Sequence, residues 1–166
     1  MLPRVLKNFT AYIDGRGYIG RVESCQLPEL AVKADEFRGG GMDGPVELEM
    51  GINKLDASIV LAEYDPNVIK LWGLFSADTA VVLRGAIQRQ GEDAVPVVVR
   101  LQGGVKQITR AEWKSGQNSP MTVAVNCNRY SETIGSETLV DIDLLNFVRI
   151  VGGVDQLATQ RAALGV

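Results

Sequence analysis

Residues 39–44 read Gly-Gly-Gly-Met-Asp-Gly, which fits the G-x-G-x-x-G spacing that cradles a dinucleotide pyrophosphate. That chemistry requires the glycines to follow a strand and open a helix, so that the phosphates rest on the helix N-terminus. Here Pro45 follows the last glycine, and Val46, Leu48 and Met50 then alternate with Glu47 and Glu49. Such alternation is strand periodicity, and its two carboxylates would repel a phosphate. The stretch reads instead as a long loop or hairpin tip whose glycines supply backbone freedom. Arg38-Gly39-Gly40 occurs once, without the repetition of a nucleic-acid-binding tail.

The remaining catalytic vocabulary is thin. The 166 residues contain no histidine. Ser-His-Asp and Cys-His catalysis are therefore excluded, as is every metal site built on imidazole. Cys25 and Cys127 are far apart, form no C-x-x-C, and read as small, partly buried apolar side chains. The carboxylate pairs Asp141/Asp143 and Glu47/Glu49 have i, i+2 spacing on strands, which places each pair on a solvent face. No cofactor, metal or catalytic site is expected, and the chain does not read as an enzyme. A net charge of −3 argues against a general nucleic-acid binder. No apolar run approaches the roughly 20 residues that span a bilayer. The N-terminal MLPRVLKNFT shows no signal-peptide core, so export by that route is not expected.

The elements that position these residues are mostly strands. At 46% apolar and 22% charged, the composition is that of a folded soluble protein, and residues 1–166 read as one domain. Strands are expected over Val5–Asp14, Tyr18–Val22, Leu30–Phe37, Val46–Met50 and Leu55–Ala62, with the last two turned around GINK. Asp65 is a good N-cap and Pro66 suits the first helical position. A short helix follows, packing Trp72 on a sheet and ending at Gly73. Further strands are expected over Thr79–Arg89, with Gly85 as a bulge, over the valine-rich run from Val95 broken at Gly103 and Gly104, and over Met121–Ile134 and Thr138–Asp143. The close, VDQLATQRAALGV, reads as a helix with Val154, Leu157, Ala158 and Leu164 on one face and Gly165 as its stop. The fold class is antiparallel β-sandwich or barrel with one short internal helix and a C-terminal helix.

Val95–Gln102 and Met121–Asn128 are long and rich in valine. Such strands are either central or edges used for pairing with other copies.

The stretches NFTAYIDGRGYIGRV, LPELAVKADEFRGGGMDGPVELEMGINKLDA, LAEYDP, VPVVVRLQG, EWKSGQ and VRIVGGVDQLATQRAALG run the length of the chain. In these the chain resembles the major tail tube protein of contractile-tailed bacteriophages, and the related tubes of phage-tail-like bacteriocins. A third glycine before Met42 and the segment NCNRYSETI depart modestly from the family pattern.

The resemblance implies a tail-tube fold and hexameric rings stacked into a hollow tube. Sheath surrounds the tube, which is driven through the host envelope and conducts DNA without binding it specifically. It implies self, sheath, tape measure, baseplate and terminator proteins as partners, a place in the virion, and synthesis in the host cytoplasm. Six copies at −3 carry roughly −18 per ring, which repels a phosphate backbone. In this frame Arg38, Gly39, Gly40, Gly41, Met42, Asp43 and Gly44 are expected to form a ring-stacking loop, with Arg38 and Asp43 pairing across the ring boundary. Glu47 and Glu49 are expected to face either the lumen or the outer, sheath-facing surface. The terminal helix is expected on the outside. A tube subunit of a bacteriocin or secretion machine, carrying no genome, is the related alternative. A monomeric β-sandwich binding module is the rival from another class, but it needs an exposed aromatic platform, and the chain has two tryptophans and four tyrosines.

Overall fold

Alternating apolar residues produce twelve strands in the computed structural model, which describes residues 2–73 and 79–165. In chain order these are β1 (Val5–Ile13), β2 (Arg16–Gly17), β3 (Val22–Gln26), β4 (Val32–Phe37), β5 (Val46–Ile52), β6 (Leu55–Leu61), β7 (Thr79–Gln88), β8 (Val95–Arg110), β9 (Met121–Ile134), β10 (Glu137–Asp143), β11 (Val148–Val151) and β12 (Val154–Asp155). Helix α1 (Pro66–Ile69) lies between β6 and β7, and α2 (Ala158–Leu164) follows β12.

The two longest strands, β8 and β9, pair along almost their whole length and serve two layers. Their outer portion, Val97–Gln102 against Arg129–Ile134, lies within the order β2-β1-β7-β8-β9-β10-β11-β12. Their inner portion, Gly103–Arg110 against Met121–Cys127, continues into β6 and then β3. The register slips between Gln102 and Gly103, where Asn128 is left unpaired in β9, and again between Val105 and Gln107, where Lys106 is extra in β8. Extra residues of this kind bend a strand and sharpen its twist, which turns one long hairpin into the corner of a sandwich.

The core lies inside this corner. β6 buries Leu55, Ala57, Ile59 and Leu61, and β9 buries Met121, Val123, Val125 and Cys127. They join Ala11, Ile13, Val81, Leu83, Val99 and Leu101 in one cluster. Alternation with period two explains the set, because each strand turns one face inward.

Several expectations are corrected. Of the two readings left open for the valine-rich portions of β8 and β9, the central one holds, so the unpaired edges lie elsewhere. Gly103 and Gly104 do not break β8, which runs on through them. Tyr18–Arg21 is a turn, and the strand begins at Val22. β5 pairs with β4, and β6 with β3 and β9, so GINK joins two separate sheets. Gly85 sits in register opposite Phe9, and the irregularity of that ladder falls between Leu6 and Asn8. Helix α1 ends after one turn with Val68 as its buried residue. Trp72, 61% exposed, lies beyond it and bridges Val105 through the backbone. Val154 belongs to β12, and no residue of α2 is buried.

The two glycines Gly85 and Gly103 differ in what a side chain would meet. At Gly103 a Cβ would overlap the carbonyl of Asn126 and lie 2.9 Å from Cys127 Cα, all backbone. At Gly85 it would meet Leu6 Cδ1 at 2.8 Å, the end of a flexible side chain. Gly103→Ala is therefore expected to cost about 3 kcal/mol or more and Gly85→Ala about 1 kcal/mol or less. Urea unfolding of the two variants checks the order.

Candidate functional site

The Val46–Met50 alternation that argues against a nucleotide site builds a projecting arm. β4 and β5 form a separate two-stranded sheet, and every residue in them except Ile52 is exposed. Register places Phe37 opposite Val46, and Asp35 opposite Leu48. Ala34 stands opposite Glu49, and Glu36 directly opposite Glu47. One face of the arm thus carries Phe37, Val46 and Leu48, and the other carries Glu36, Glu47 and Glu49.

The structure brings residues 38–44 together at the tip. Arg38 folds back on its own loop, donating from Nε to Met42 O at 3.4 Å and from a terminal nitrogen to Asp43 O at 3.3 Å. Met42 N donates to Gly39 O at 3.3 Å, and Gly41 takes φ 84° to complete the turn. The Arg38 contact is with the Asp43 main chain, which leaves the Asp43 carboxylate for another partner. Asp141 and Asp143 belong to β10, and Asp143 lines the groove at the base of the arm together with Glu49. Asp143 receives hydrogen bonds from the backbone of Leu145 and Asn146 and so caps the following turn.

Glu49 is engaged at the base of the arm by Arg149 of β11, whose side chain is 10% exposed. This arginine was missed in the sequence. Its signal is a charge at the inward position of VRIV, opposite buried Ile142. A groove of about 550 Å³ runs beside the pair, lined in part by Met50, Ile52, Phe147 and Leu157. Removing one partner would leave the guanidinium buried without a carboxylate, an unfavourable state.

Two polar joints hold the body behind the arm. Asp65 caps α1 by accepting from Asn67 N at 2.7 Å, and it also accepts from the Tyr18 hydroxyl at 2.8 Å. Burial by itself raises the Asp65 carboxyl. The hydrogen bonds from Asn67 and Tyr18, with the nearby Arg21 charge, outweigh that and hold it below the ordinary aspartate range. Burial, followed by the bond to Asp65, pushes Tyr18 up to about 12. At the other joint Arg161 of α2 donates to Phe147 O at 2.9 Å and pairs with Asp155, which lowers the Asp155 carboxyl. Burial pushes the Cys25 thiol up to about 11 and the Cys127 thiol up to about 12, so both are protonated at neutral pH.

The described residues contain no group of three or more His, Cys, Asp and Glu placed to hold a metal. They do contain unfinished sheet edges. β3 pairs only with β6, and β8 beyond Val105 has β9 on one side and no described strand on the other. Among the described residues, Val5–Thr10 of β1 pairs only with β7. Leu6, Phe9, Cys25, Leu27, Leu83 and Val97 line an apolar slot of about 140 Å³ beside these edges.

The described residues form a two-layer antiparallel body with a projecting hairpin and open edges, and solved structures share the overall fold. The fold matches a chain in the sheath–tube complex of an extracellular contractile injection system at TM-score 0.59, with 8% identity over 79% of this chain and 91% of that one. It matches a chain in the sheath/tube terminator of such a system at TM-score 0.61, with 8% identity over 80% and 98%. Residues 3–165 match the family model described as phage tail tube protein FII. The chain is 33% identical to the tail tube protein of Escherichia phage P2 over 99% of both chains, and 31% identical to the major tail tube protein of Serratia phage KSP20 over 89% of this chain and 86% of that one. The chain belongs to the phage tail tube protein FII family, the structural tube subunits of the virion.

The depressed carboxyls set an acid response. A carboxyl held below its unfolded value stabilises the fold above that value, near 4, and loses this stabilisation as pH falls through the folded value. Thermal melts from about pH 7 to about pH 2 should therefore show falling stability across the acid range. Asp65→Ala should cost about 1–2 kcal/mol at neutral pH and decline less steeply in acid. A parallel acid slope in the variant would contradict the role of the Asp65 joint.

Proposed function

We propose that copies of this chain, each one tail tube domain over residues 1–166, close into hexameric rings by pairing β3 of one copy with β8 of the next. The observation that carries this reading is the layer β3-β6-β9-β8, whose two outer strands both have an unpaired side among the described residues. All three of its internal pairings are antiparallel, so its two outer strands run in opposite senses. A rotated neighbour then presents β3 antiparallel to β8, and the alternation continues across the joint without interruption. Exposed edges otherwise template uncontrolled association, and a closed ring removes them.

The outward face of this layer carries Gln26, Ser58, Gln107, Thr109, Thr122 and Asn126, in register with one another. These side chains are small to medium and polar, and Asp56, opposite Asn126 on the same face, is paired with Lys54 at 2.7 Å and lies 3.9 Å from Lys106. We assign them to the bore, in place of the Glu47/Glu49 face, because Glu49 is tied to Arg149 and the arm stands off the body. A bore of mostly uncharged side chains, with Lys54 and Lys106 drawn to Asp56, offers little phosphate neutralisation and so little counterion release, which suits passage of DNA without retention. The arm, with residues 38–44 at its tip, stacks one ring on the next. Its Phe37, Val46 and Leu48 face needs cover, and another copy supplies it.

The fold neighbours come from sheath–tube, terminator and baseplate assemblies, which supports sheath, terminator and baseplate proteins as partners. Family resemblance adds the tape measure protein and synthesis in the host cytoplasm. Relatives above 30% identity are phage proteins, which favours a DNA-conducting tube over a particle without a genome.

Two experiments test this. Deleting Gly39–Gly44 should leave soluble subunits or single rings in electron micrographs, and long tubes from that deletion would contradict the role of the tip. Ser24→Cys combined with Thr109→Cys should cross-link neighbours at about pH 8, where exposed thiols react and the raised native thiols stay protonated. A covalent ladder ending at the hexamer is expected. Absence of cross-links in assembled material would rule out the β3–β8 joint.

A further inference from the structure

The outward face of the other layer carries a charge pattern that ring closure does not use. Three rows cross this face. Arg84 of β7 stands beside Val98 and Thr133, Arg100 of β8 stands beside Val82 and Ser131, and Arg129 of β9 stands beside Gln102 and Ala80. The three arginines therefore step diagonally across three neighbouring strands. All three are exposed. Arg100 and Arg129 line a hollow of about 390 Å³.

Arg129 has acidic company on its own face, with Asp143 opposite it and Asp141 at 3.8 Å. Arg84 lies 5.9 Å from the Tyr12 ring and has no carboxylate within salt-bridge distance among the described residues. Arg100 has none either, and its cross-strand neighbours are valine and serine. Arg84 and Arg100 are diagonal neighbours, a separation of about 7–8 Å. Neither forms an ion pair among the described residues, and the carboxylate that shares the hollow with Arg100, Asp141, is 3.8 Å from Arg129.

The arm carries the opposite excess. Glu36 and Glu47 are directly opposed across the hairpin, about 5 Å apart, where like charges destabilise the pairing. Glu49 beside them is already neutralised by Arg149. Among the described residues, the chain therefore displays two glutamates without ion pairs on a projecting strand pair and two arginines without ion pairs on a hollow sheet face. Both side chain types are long enough to take up the difference in spacing.

We propose that the Arg84/Arg100 face is the docking surface for the Glu36/Glu47 face of another copy's arm. This rests on the tube reading, and it names the surface that receives the arm. Carboxylate–guanidinium pairing neutralises both faces at once and gives the stacking contact an electrostatic register. Nucleic acid would also be attracted to two arginines, but this face lies outside the layer with the two open edges, and the arm supplies carboxylates within the same assembly.

The test is tube formation by the full chain, followed by sedimentation and electron microscopy, with the unaltered chain as control. Control tubes establish the tube reading separately. Arg84→Glu with Arg100→Glu should keep the melting curve and raise the concentration needed for tubes by at least about tenfold, the equivalent of one modest charge contact. Adding Glu36→Lys and Glu47→Lys to the same chain should restore tubes. Normal assembly of the arginine variant would overturn the proposal. So would assembly that stays lost in the fourfold variant, which would give the arginine face to a different partner.

Discussion

Gly103 lies against the backbone of Asn126 where no side chain fits, and the architecture depends on that approach. It permits β8 and β9 to stay paired while their ladder slips past Asn128 and again past Lys106. One hairpin thereby belongs to two layers. Without the slip, the residues that fill the core from β9 would lose their phase, because Cys127 and Tyr130 both point inward only if one position between them is skipped. The bend also divides labour. One layer receives β10, β11, β12 and α2 at its border, while the other is left with β3 and the end of β8 open.

The unfinished layer accounts for the character of the molecule more economically than any site chemistry. A monomeric sandwich blunts its edges with proline, lysine or bulges. Here Lys106 does form a bulge, but it bends the strand that offers the edge. The chain places its apolar excess accordingly: Leu6 and Phe9 beside the open border, and Phe37, Val46 and Leu48 on the arm. Scattered exposed apolar residues need no explanation, but two organised sets at the places where strands lack partners do. The charged groups follow the same logic. Tyr18–Asp65 and Asp155–Arg161 close joints within one copy, and Glu49–Arg149 anchors the arm at its base.

Much of this was legible in the sequence, and the misses share a cause. Alternation revealed β6 and β9 with their inward residues, because burial on one face leaves a period of two. The Asp65–Pro66 pair revealed α1 through local capping chemistry alone. Pro45 and the Val46–Met50 alternation were enough to reject a nucleotide loop and place a hairpin tip. Pairing partners were not legible. GINK looks like a hairpin turn, yet β5 and β6 belong to different sheets, since local turn chemistry does not reveal which strand a chain will meet. The centrality of β8 depends on β7 and β9, distant in sequence. Arg149 and the opposition of Glu36 to Glu47 are products of register, which emerges only when strands are laid side by side. The tail tube family was readable from motifs spread along the chain, whereas the surfaces that join copies required the sheet order.

Amide hydrogen exchange of the free subunit and of assembled tubes addresses the central claim most directly, since it reports on each strand's main chain. If neighbours complete the open layer, the outward amides of Val22–Gln26 and of residues 106–110 exchange rapidly in the subunit and become protected together in tubes. Equal, rapid exchange of both segments in subunit and tube would contradict the account.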